Sequence, residues 1–262
     1  MKTLERRFGA PLVFALHLAA LAAFPLHAQA DGPAPVLMVI ANQDFWYQEY
    51  AATRSSLEAV GLDVVVAAAT TQVAKPHHSG PHRPVQPDVA LGDVRAENYS
   101  AIVFVGGWGS SAYQYSFPGH YDEPAYRPDA LVAEDVNRLI EDFLAQERTV
   151  AATCHGVSVL AWARVDGVSP LAGRTVVAPA GGSPGFSFQG QEYADAAVPV
   201  RWHVEANGAT MLVSGSVGDP LTTEDDVWVE GKIITAENYD SAAVFAKAIR
   251  DAVRAASRSS RR

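Results

Sequence analysis

The sequence predicts an α/β fold in which a doubly wound, mostly parallel sheet carries helices on both faces. Continuous apolar runs are typical of strands that are covered on both sides, and they occur at residues 36–41, 62–68, 101–105 and 150–153. Segments with helical periodicity lie between these runs. Strands that alternate with helices indicate parallel pairing within one layered domain.

The elements of the first half follow in this order. After the first strand, a helical pattern at residues 45–60 ends at Gly61, and the run 62–68 completes a βαβ unit. Residues 75–88 contain four prolines and three histidines, which predicts a loop. The strand at 101–105 ends in the turn Gly106-Gly107-Trp108-Gly109. Residues 110–127 are rich in Tyr, Pro and Gly, and we expect them to form an ordered loop over a site.

The second half continues the alternation. A helix with one apolar face is predicted at 129–146. The strand before Cys154 and a short helix through Trp162 follow it. Further predicted elements are short strands at 175–178, 211–214 and 227–235 and a last helix at 241–255. Since no internal repeat or linker is visible, we predict one domain over 35–256 and a disordered basic tail at 257–262.

The first thirty residues are predicted to be a secretory signal peptide. Lys2, Arg6 and Arg7 form a basic start, residues 8–24 are mostly apolar, and residues 28–30 read Ala-Gln-Ala, a small-x-small cleavage site. The alternative, a membrane anchor, is disfavoured because prolines and a histidine interrupt a run that is short for a bilayer span. We therefore expect cleavage after Ala30, a secreted, periplasmic location, and no stable membrane insertion afterwards.

Composition and charge limit the classes of partner. The 262 residues are 48% hydrophobic and 19% charged, as in ordinary globular proteins. The net charge of −9 becomes −11 when the three basic side chains and the one acidic side chain of residues 1–30 are removed. Such an acidic chain disfavours nucleic acid as a partner.

Cys154 is the strongest candidate for a functional residue. It is the only cysteine of the chain, so it cannot form an internal disulfide. It lies between an apolar strand and a helix, where the first backbone N–H groups of the helix favour a thiolate, and His155 offers a base directly beside it. The alternative is that Cys154 packs as a small apolar side chain. In a doubly wound sheet the strand ends at Ala41, Gly106 and Cys154 converge at one edge, which predicts a common site.

These three strand ends resemble the ThiJ/PfpI family, the cysteine branch of the flavodoxin-like class I glutamine amidotransferase-like fold. The resemblance extends over most of residues 36–255. It rests on Glu49 after the first strand, on the Gly106-Gly107 turn after the third, and on the elbow Ala152-Thr153-Cys154-His155-Gly156. It departs from the family at 235–240, where Thr-Ala-Glu-Asn-Tyr-Asp replaces a Thr-Ser-Arg-Gly-Pro-like turn.

The resemblance implies a role for each matching residue. Glu49 would reach the sulfur as a hydrogen-bond donor or acid/base, with a pKa raised by burial and by the thiolate; otherwise it is a surface residue of an amphipathic helix. The backbone N–H groups of Gly107 and His155 would form an oxyanion hole, with Gly106 and Trp108 beside the substrate. His155 would act as base or have a structural role. The resemblance also implies a homodimer or a larger homo-oligomer.

Other features have more than one interpretation. The loop at 108–127 is rich in Trp, Tyr and Phe, and we call it the aromatic loop. Asp122 or Glu123 in this loop is a candidate third acid that orients His155. The loop itself is either a lid or a subunit contact. His77, His78 and His82 lack regularly spaced carboxylate or cysteine partners, so we expect no metal and no cofactor. His120 and His203 are expected to be surface or core residues.

The resemblance implies a cysteine nucleophile that attacks a carbonyl carbon, and it supports both a small carbonyl compound and a peptide or amide as substrate. We expect a small carbonyl compound, as in a glyoxalase or deglycase, because nothing in the sequence suggests a long peptide groove. The first alternative is a cysteine peptidase or amidase with a peptide substrate. The second is a redox-stress sensor or chaperone-like protein in which Cys154 becomes a sulfinic acid. A further alternative is a binding protein that has lost turnover.

Overall fold

A seven-stranded sheet forms the centre of the fold in the computed structural model of the chain, which describes residues 33–79 and 83–259. The described residues contain fourteen strands, of which seven belong to this sheet. In chain order they are β1 (Val36–Val39), β2 (Gln43–Phe45), β3 (Val64–Ala68), β4 (Lys75–Pro76), β5 (Val89–Ala90), β6 (Ala101–Phe104), β7 (His120–Tyr121), β8 (Thr149–Thr153), β9 (Thr175–Val176), β10 (Phe186–Phe188), β11 (Gln191–Tyr193), β12 (Thr210–Met211), β13 (Val227–Glu230) and β14 (Ile233–Ala236). The α-helices are α1 (Tyr47–Ala59), α2 (Ala130–Ala145), α3 (Val157–Trp162), α4 (Val200–Glu205) and α5 (Ala242–Ser259).

The order of the central strands is β13-β14-β8-β6-β1-β3-β5, and within this sheet only β13 is antiparallel to its neighbour. The connections β1 to β3 and β6 to β8 lead outward in opposite directions. Because such connections are right-handed, α1 and α2 lie on opposite faces of the sheet. The direction changes between β1 and β6, and ligands bind at such a switch point beside the carboxyl ends of the strands. This confirms the predicted doubly wound α/β sheet.

The central strands are apolar because both faces of the sheet are covered. Every residue of β1, β6 and β8 is buried. Helix α5 packs against α1, and α2 begins at Asp129, whose carboxylate accepts the N–H groups of Leu131 and Val132. Sheet and helices together hold the carboxyl ends of β1, β6, β8 and β14 in fixed positions.

Several predicted boundaries are wrong. The single strand predicted at 227–235 is a hairpin of β13 and β14, since the chain turns at Gly231 with φ +64°. The ordered loop predicted at 110–127 contains β7, the whole 3₁₀ helix Pro124–Tyr126 and part of the 3₁₀ helix Trp108–Tyr113. Helix α5 continues to Ser259 because its end is rich in Ala and Arg, so residues 257–259 are not a disordered tail.

Other elements agree in kind and differ in length. Helix α1 starts two residues later than predicted, after the short strand β2. The predicted strands at 175–178 and 211–214 are the two-residue strands β9 and β12, which pair with each other. Among the described residues, no helix combines the length and apolarity needed to cross a bilayer. The predicted signal peptide and its cleavage site lie outside the described residues.

Candidate active site

Cys154 occupies a strained turn between β8 and α3. Its φ is +52°, a left-handed conformation that few residues other than glycine adopt. A 3₁₀ turn, Cys154–Gly156, then leads directly into α3. At Gly156 a Cβ atom would lie 2.6 Å from the carbonyl oxygen of Phe104, so glycine is required for the turn to pack against β6. This is the strand-turn-helix context of a nucleophile elbow, as predicted.

Glu49 lies in the first turn of α1 and is directed inward. Its side chain is 2% exposed, which excludes the alternative of a surface glutamate. The carboxyl group lies against Cys154 and Gly106, and its Oε2 is buried without a hydrogen-bond partner among the described residues. A Cβ atom at position 106 would lie 2.4 Å from Oε2 of Glu49 and 2.6 Å from Cβ of Cys154. Glycine at this position therefore permits the acid and the thiol to meet.

Burial dominates the electrostatics of this pair. It raises the pKa of Glu49 from its ordinary value of 4.5 to about 8, in the direction predicted from the sequence. Burial also raises the pKa of Cys154, and the negative charge of an ionised Glu49 raises it further. The expectation that the helix start favours the thiolate is therefore wrong, because burial and then the charge of Glu49 outweigh the backbone N–H groups that lower the pKa of Cys154. At neutral pH both groups therefore hold their protons, and the carboxyl group of Glu49 is the first of the two to ionise as the pH rises.

Two backbone N–H groups are directed at the sulfur. Those of Gly107 and His155 hydrogen-bond Cys154 and lower its pKa, against the larger effect of burial. Gly107 has φ +100°, and a Cβ atom there would lie 2.5 Å from the carbonyl oxygen of Asp44 and from the backbone nitrogen of Trp46. The Gly-Gly turn therefore brings a backbone donor close to the thiol where a side chain would clash.

The imidazole of His155 is turned away from the thiol. Its Nε2 lies 2.9 Å from Oγ of Ser111, and its Nδ1 is buried without a hydrogen-bond partner among the described residues. Burial lowers the pKa of His155 to about 4, so the ring is neutral at physiological pH. The sequence left His155 a role either as base or in the structure, and this geometry favours the structural role for the ring. The backbone N–H of His155 is the part of the residue that contacts the sulfur.

The structure does not bring Asp122 or Glu123 to His155. Both line a different cavity, together with Tyr126 and Asp195. The carboxylate of Glu123 accepts the N–H of Ala125 at 3.4 Å. Ser111 supplies the hydrogen bond to His155 that a third acid was expected to supply.

The thiol opens into a cavity of about 430 Å³, a size typical of small-molecule sites. Predicted residues that line it are Glu49, Gly107, Trp108, Cys154 and His155, whereas sequence reasoning missed Trp46, His77, Ser79, Pro179, Gly181, Gly182, Val200 and Tyr239. Gly106, also predicted, lies against the carboxyl group of Glu49 and is not part of the cavity wall. Tyr239 lies in the turn at 235–240 that departs from the family pattern. This departure was the one feature of the sequence that could have indicated a cavity residue which was not predicted.

The aromatic loop packs largely into its own domain. The rings of Phe117 and Tyr121 stack at 4.7 Å between centroids, and Phe186 meets Phe117 edge-on. The hydroxyl of Tyr113 donates to the carbonyl oxygen of Ile40 at 2.9 Å. Much of the loop is therefore core, and Trp108 is its contribution to the cavity wall.

The histidines of the 75–88 segment do not form a metal site in the part that the structure describes. Nδ1 of His77 is hydrogen-bonded to Ser79, and its ring stacks on that of His78 at 4.3 Å. Within residues 33–79 and 83–259, no three His, Cys, Asp or Glu side chains are arranged to hold a metal ion. His82 lies outside these residues. His203 is a buried residue that accepts a hydrogen bond from Trp162, as one of its two predicted roles required, and His120 is exposed in β7.

Solved structures share this architecture. A ThiJ/PfpI domain protein from Brachyspira murdochii superimposes with a TM-score of 0.59 at 21% identity, covering 86% of this chain and 99% of the other. DJ-1beta of Drosophila melanogaster gives 0.57 at 17% identity, covering 87% and 97%. Glyoxalase III of Candida albicans gives 0.55 at 13% identity, covering 84% and 97%.

Sequence comparison adds nothing to these structural matches, since no family model and no curated protein sequence matches the chain. The structural likeness nevertheless extends through nearly the whole length of each solved protein. It agrees with the resemblance carried by Glu49, Gly106-Gly107 and the Cys154 elbow. The chain therefore has the ThiJ/PfpI fold.

Proposed function

We propose that this protein is a cysteine-dependent enzyme of the ThiJ/PfpI type that converts a 2-oxoaldehyde and water into a 2-hydroxy acid. One observation carries the proposal: a buried carboxyl group lies against a thiol that lies on a strained elbow beneath an open cavity. A structural glutamate gains nothing from such a partner, because burial of both groups is costly. A proton-transfer group needs this contact and a pKa near the working pH.

In the proposed reaction the sulfur of Cys154 attacks the aldehyde carbon. A C–S bond forms, and the thiol proton passes to the aldehyde oxygen, which gives a hemithioacetal. The N–H groups of Gly107 and His155 stabilise the negative charge that develops on this oxygen. Glu49, as carboxylate, removes the proton from the same carbon and returns it to the neighbouring carbon. The hydroxyl proton of the hemithioacetal moves to the oxygen of that neighbouring carbon, so the product is a thioester of the 2-hydroxy acid. Water then breaks the C–S bond and releases the hydroxy acid and the thiol, so no external oxidant is needed.

The peptidase alternative has less support. It would use His155 as base, yet the imidazole is hydrogen-bonded to Ser111 and is not bonded to the thiol. Neither Asp122 nor Glu123 orients it. The acid whose charge and contact act on the thiol of Cys154 is Glu49.

The test is turnover of methylglyoxal by the wild-type protein and by the Cys154→Ser, Glu49→Gln and Glu58→Gln variants. Aldehyde loss and lactate formation are followed together. We expect equal amounts of both with the wild type, none with Cys154→Ser, a loss of at least about a hundredfold with Glu49→Gln, and no change with Glu58→Gln, an exposed residue of the same helix. Lactate formation that persists in Cys154→Ser would refute the proposal.

A negative result would be followed by peroxide titration with intact mass measurement. A discrete gain of two oxygens on Cys154 at low peroxide would then support the redox-sensor alternative. Cleavage of amide substrates that depends on Cys154 would support the peptidase alternative.

A further inference from the structure

We propose that the cavity above Cys154 is built for an uncharged carbonyl compound with an aryl substituent, and that Trp46 and Trp108 hold the ring. The cavity wall is mainly carbon, since two indoles, Pro179, Val200 and the ring of Tyr239 line it. At about 430 Å³ it has more room than a three-carbon aldehyde needs. This inference deepens the proposed function. Only the carbonyl group of the ligand rests on the proposed function, whereas the aryl group is inferred from the cavity wall.

Both indoles are held in place before any ligand arrives. The ring of Trp46 packs against that of His77 at 5.3 Å between centroids. Nε1 of Trp108 donates to the carbonyl oxygen of Gly182 at 3.0 Å, and Tyr126 meets its ring edge-on at 6.3 Å. A rigid aromatic wall binds a flat ring at a low cost in conformational entropy. The arrangement therefore favours an aryl group over a short alkyl group.

The charges around the cavity disfavour an anionic ligand. Among the described residues that line it, none is Lys or Arg, and the acid Glu49 lies at its base. Nε2 of His77 lies 3.9 Å from Oδ1 of Asp44, so this ring already faces a carboxylate of its own chain. A carboxylate in this cavity would lose its hydration without gaining a cationic partner. The chain as a whole has a net charge of −9.

Binding to the Cys154→Ser protein tests the cavity without any turnover. The probes are acetophenone, acetone and benzoylformate, which compare an aryl ketone with a small ketone and with an aryl anion, measured by isothermal titration calorimetry. We expect acetophenone to bind at least about tenfold more tightly than either of the others. Trp46→Ala and Trp108→Ala, each added to Cys154→Ser, should weaken acetophenone binding by about fivefold or more. Trp228→Phe is the control, because Trp228 lies on β13 and bonds Glu230.

The outcomes separate the two proposals. Benzoylformate that binds as tightly as acetophenone, or acetophenone binding that neither indole substitution weakens, would overturn the inference about the cavity. Wild-type protein should also show a higher kcat/KM with phenylglyoxal than with methylglyoxal. If neither aldehyde is turned over while acetophenone still binds in an indole-dependent way, the proposed reaction fails and the aryl site stands.

Discussion

Replacement of Glu49 by Gln should change how the stability of the protein depends on pH. The native carboxyl group keeps its proton up to about pH 8, whereas an unfolded glutamate loses it near pH 4.5. Between these values the native state binds more protons than the unfolded state, so the free energy of unfolding of the wild type falls as the pH rises. Each pH unit between the two pKa values is worth about 1.4 kcal/mol, so the penalty is about 3 kcal/mol at pH 7 and about 5 kcal/mol above pH 8.

The Gln variant lacks this penalty because its amide does not ionise. We expect the free energy of unfolding of Glu49→Gln, relative to wild type, to rise by about 3 to 4 kcal/mol between pH 5 and pH 8 and then to level off. The assay is urea denaturation at several pH values, with both proteins in a Cys154→Ser background so that the thiol does not titrate. Glu58→Gln on the same helix is the control and should show no such rise, since Glu58 is exposed. A difference that stays constant from pH 5 to pH 8 would refute the burial argument for Glu49.

Three further predictions follow from the same contacts. Glu49→Gln should lower the midpoint pH for alkylation of Cys154 by iodoacetamide, because an ionised Glu49 no longer opposes the thiolate; an unchanged midpoint would contradict the contact. Gly107→Ala should abolish methylglyoxal turnover and cost more than about 2 kcal/mol in denaturation experiments, since a Cβ atom would clash at 2.5 Å. Gly167→Ala, also at positive φ but in open space, should cost only about 1 kcal/mol and keep turnover; equal losses in the two variants would argue against the packing explanation. Ser111→Ala leaves Nε2 of His155 buried and unpaired, so it should destabilise the protein by about 1 to 3 kcal/mol. It should reduce turnover far less than Cys154→Ser does. A loss of turnover as large as that of Cys154→Ser would show that His155 takes part in the chemistry.

Parts of the fold that depend on short stretches of sequence could be predicted without the structure. Residues 36–41 and 101–105 are apolar throughout because both faces of a parallel strand are buried, and this condition is visible in the sequence itself. The hairpin at 227–236 was missed, because one glycine between two short β-prone runs is compatible with a single strand. The end of α5 was missed because its basic residues suggested a tail, although they also favour a helix.

The sequence by itself determined the order of strands and helices along the chain and the elbow at Cys154. It also determined the paired glycines that allow backbone N–H groups to approach a ligand. These features depend on residues that are neighbours in the chain. The resemblance already implied that Glu49 reaches the sulfur, whereas only the tertiary structure decided that the imidazole of His155 is hydrogen-bonded to Ser111, 44 residues away. The same holds for the cavity wall, to which Trp46, His77 and Tyr239 come from three separate segments. The direction of a side chain depends on the packing of the elements around it, and that packing joins residues whose separation leaves no periodic pattern in the sequence.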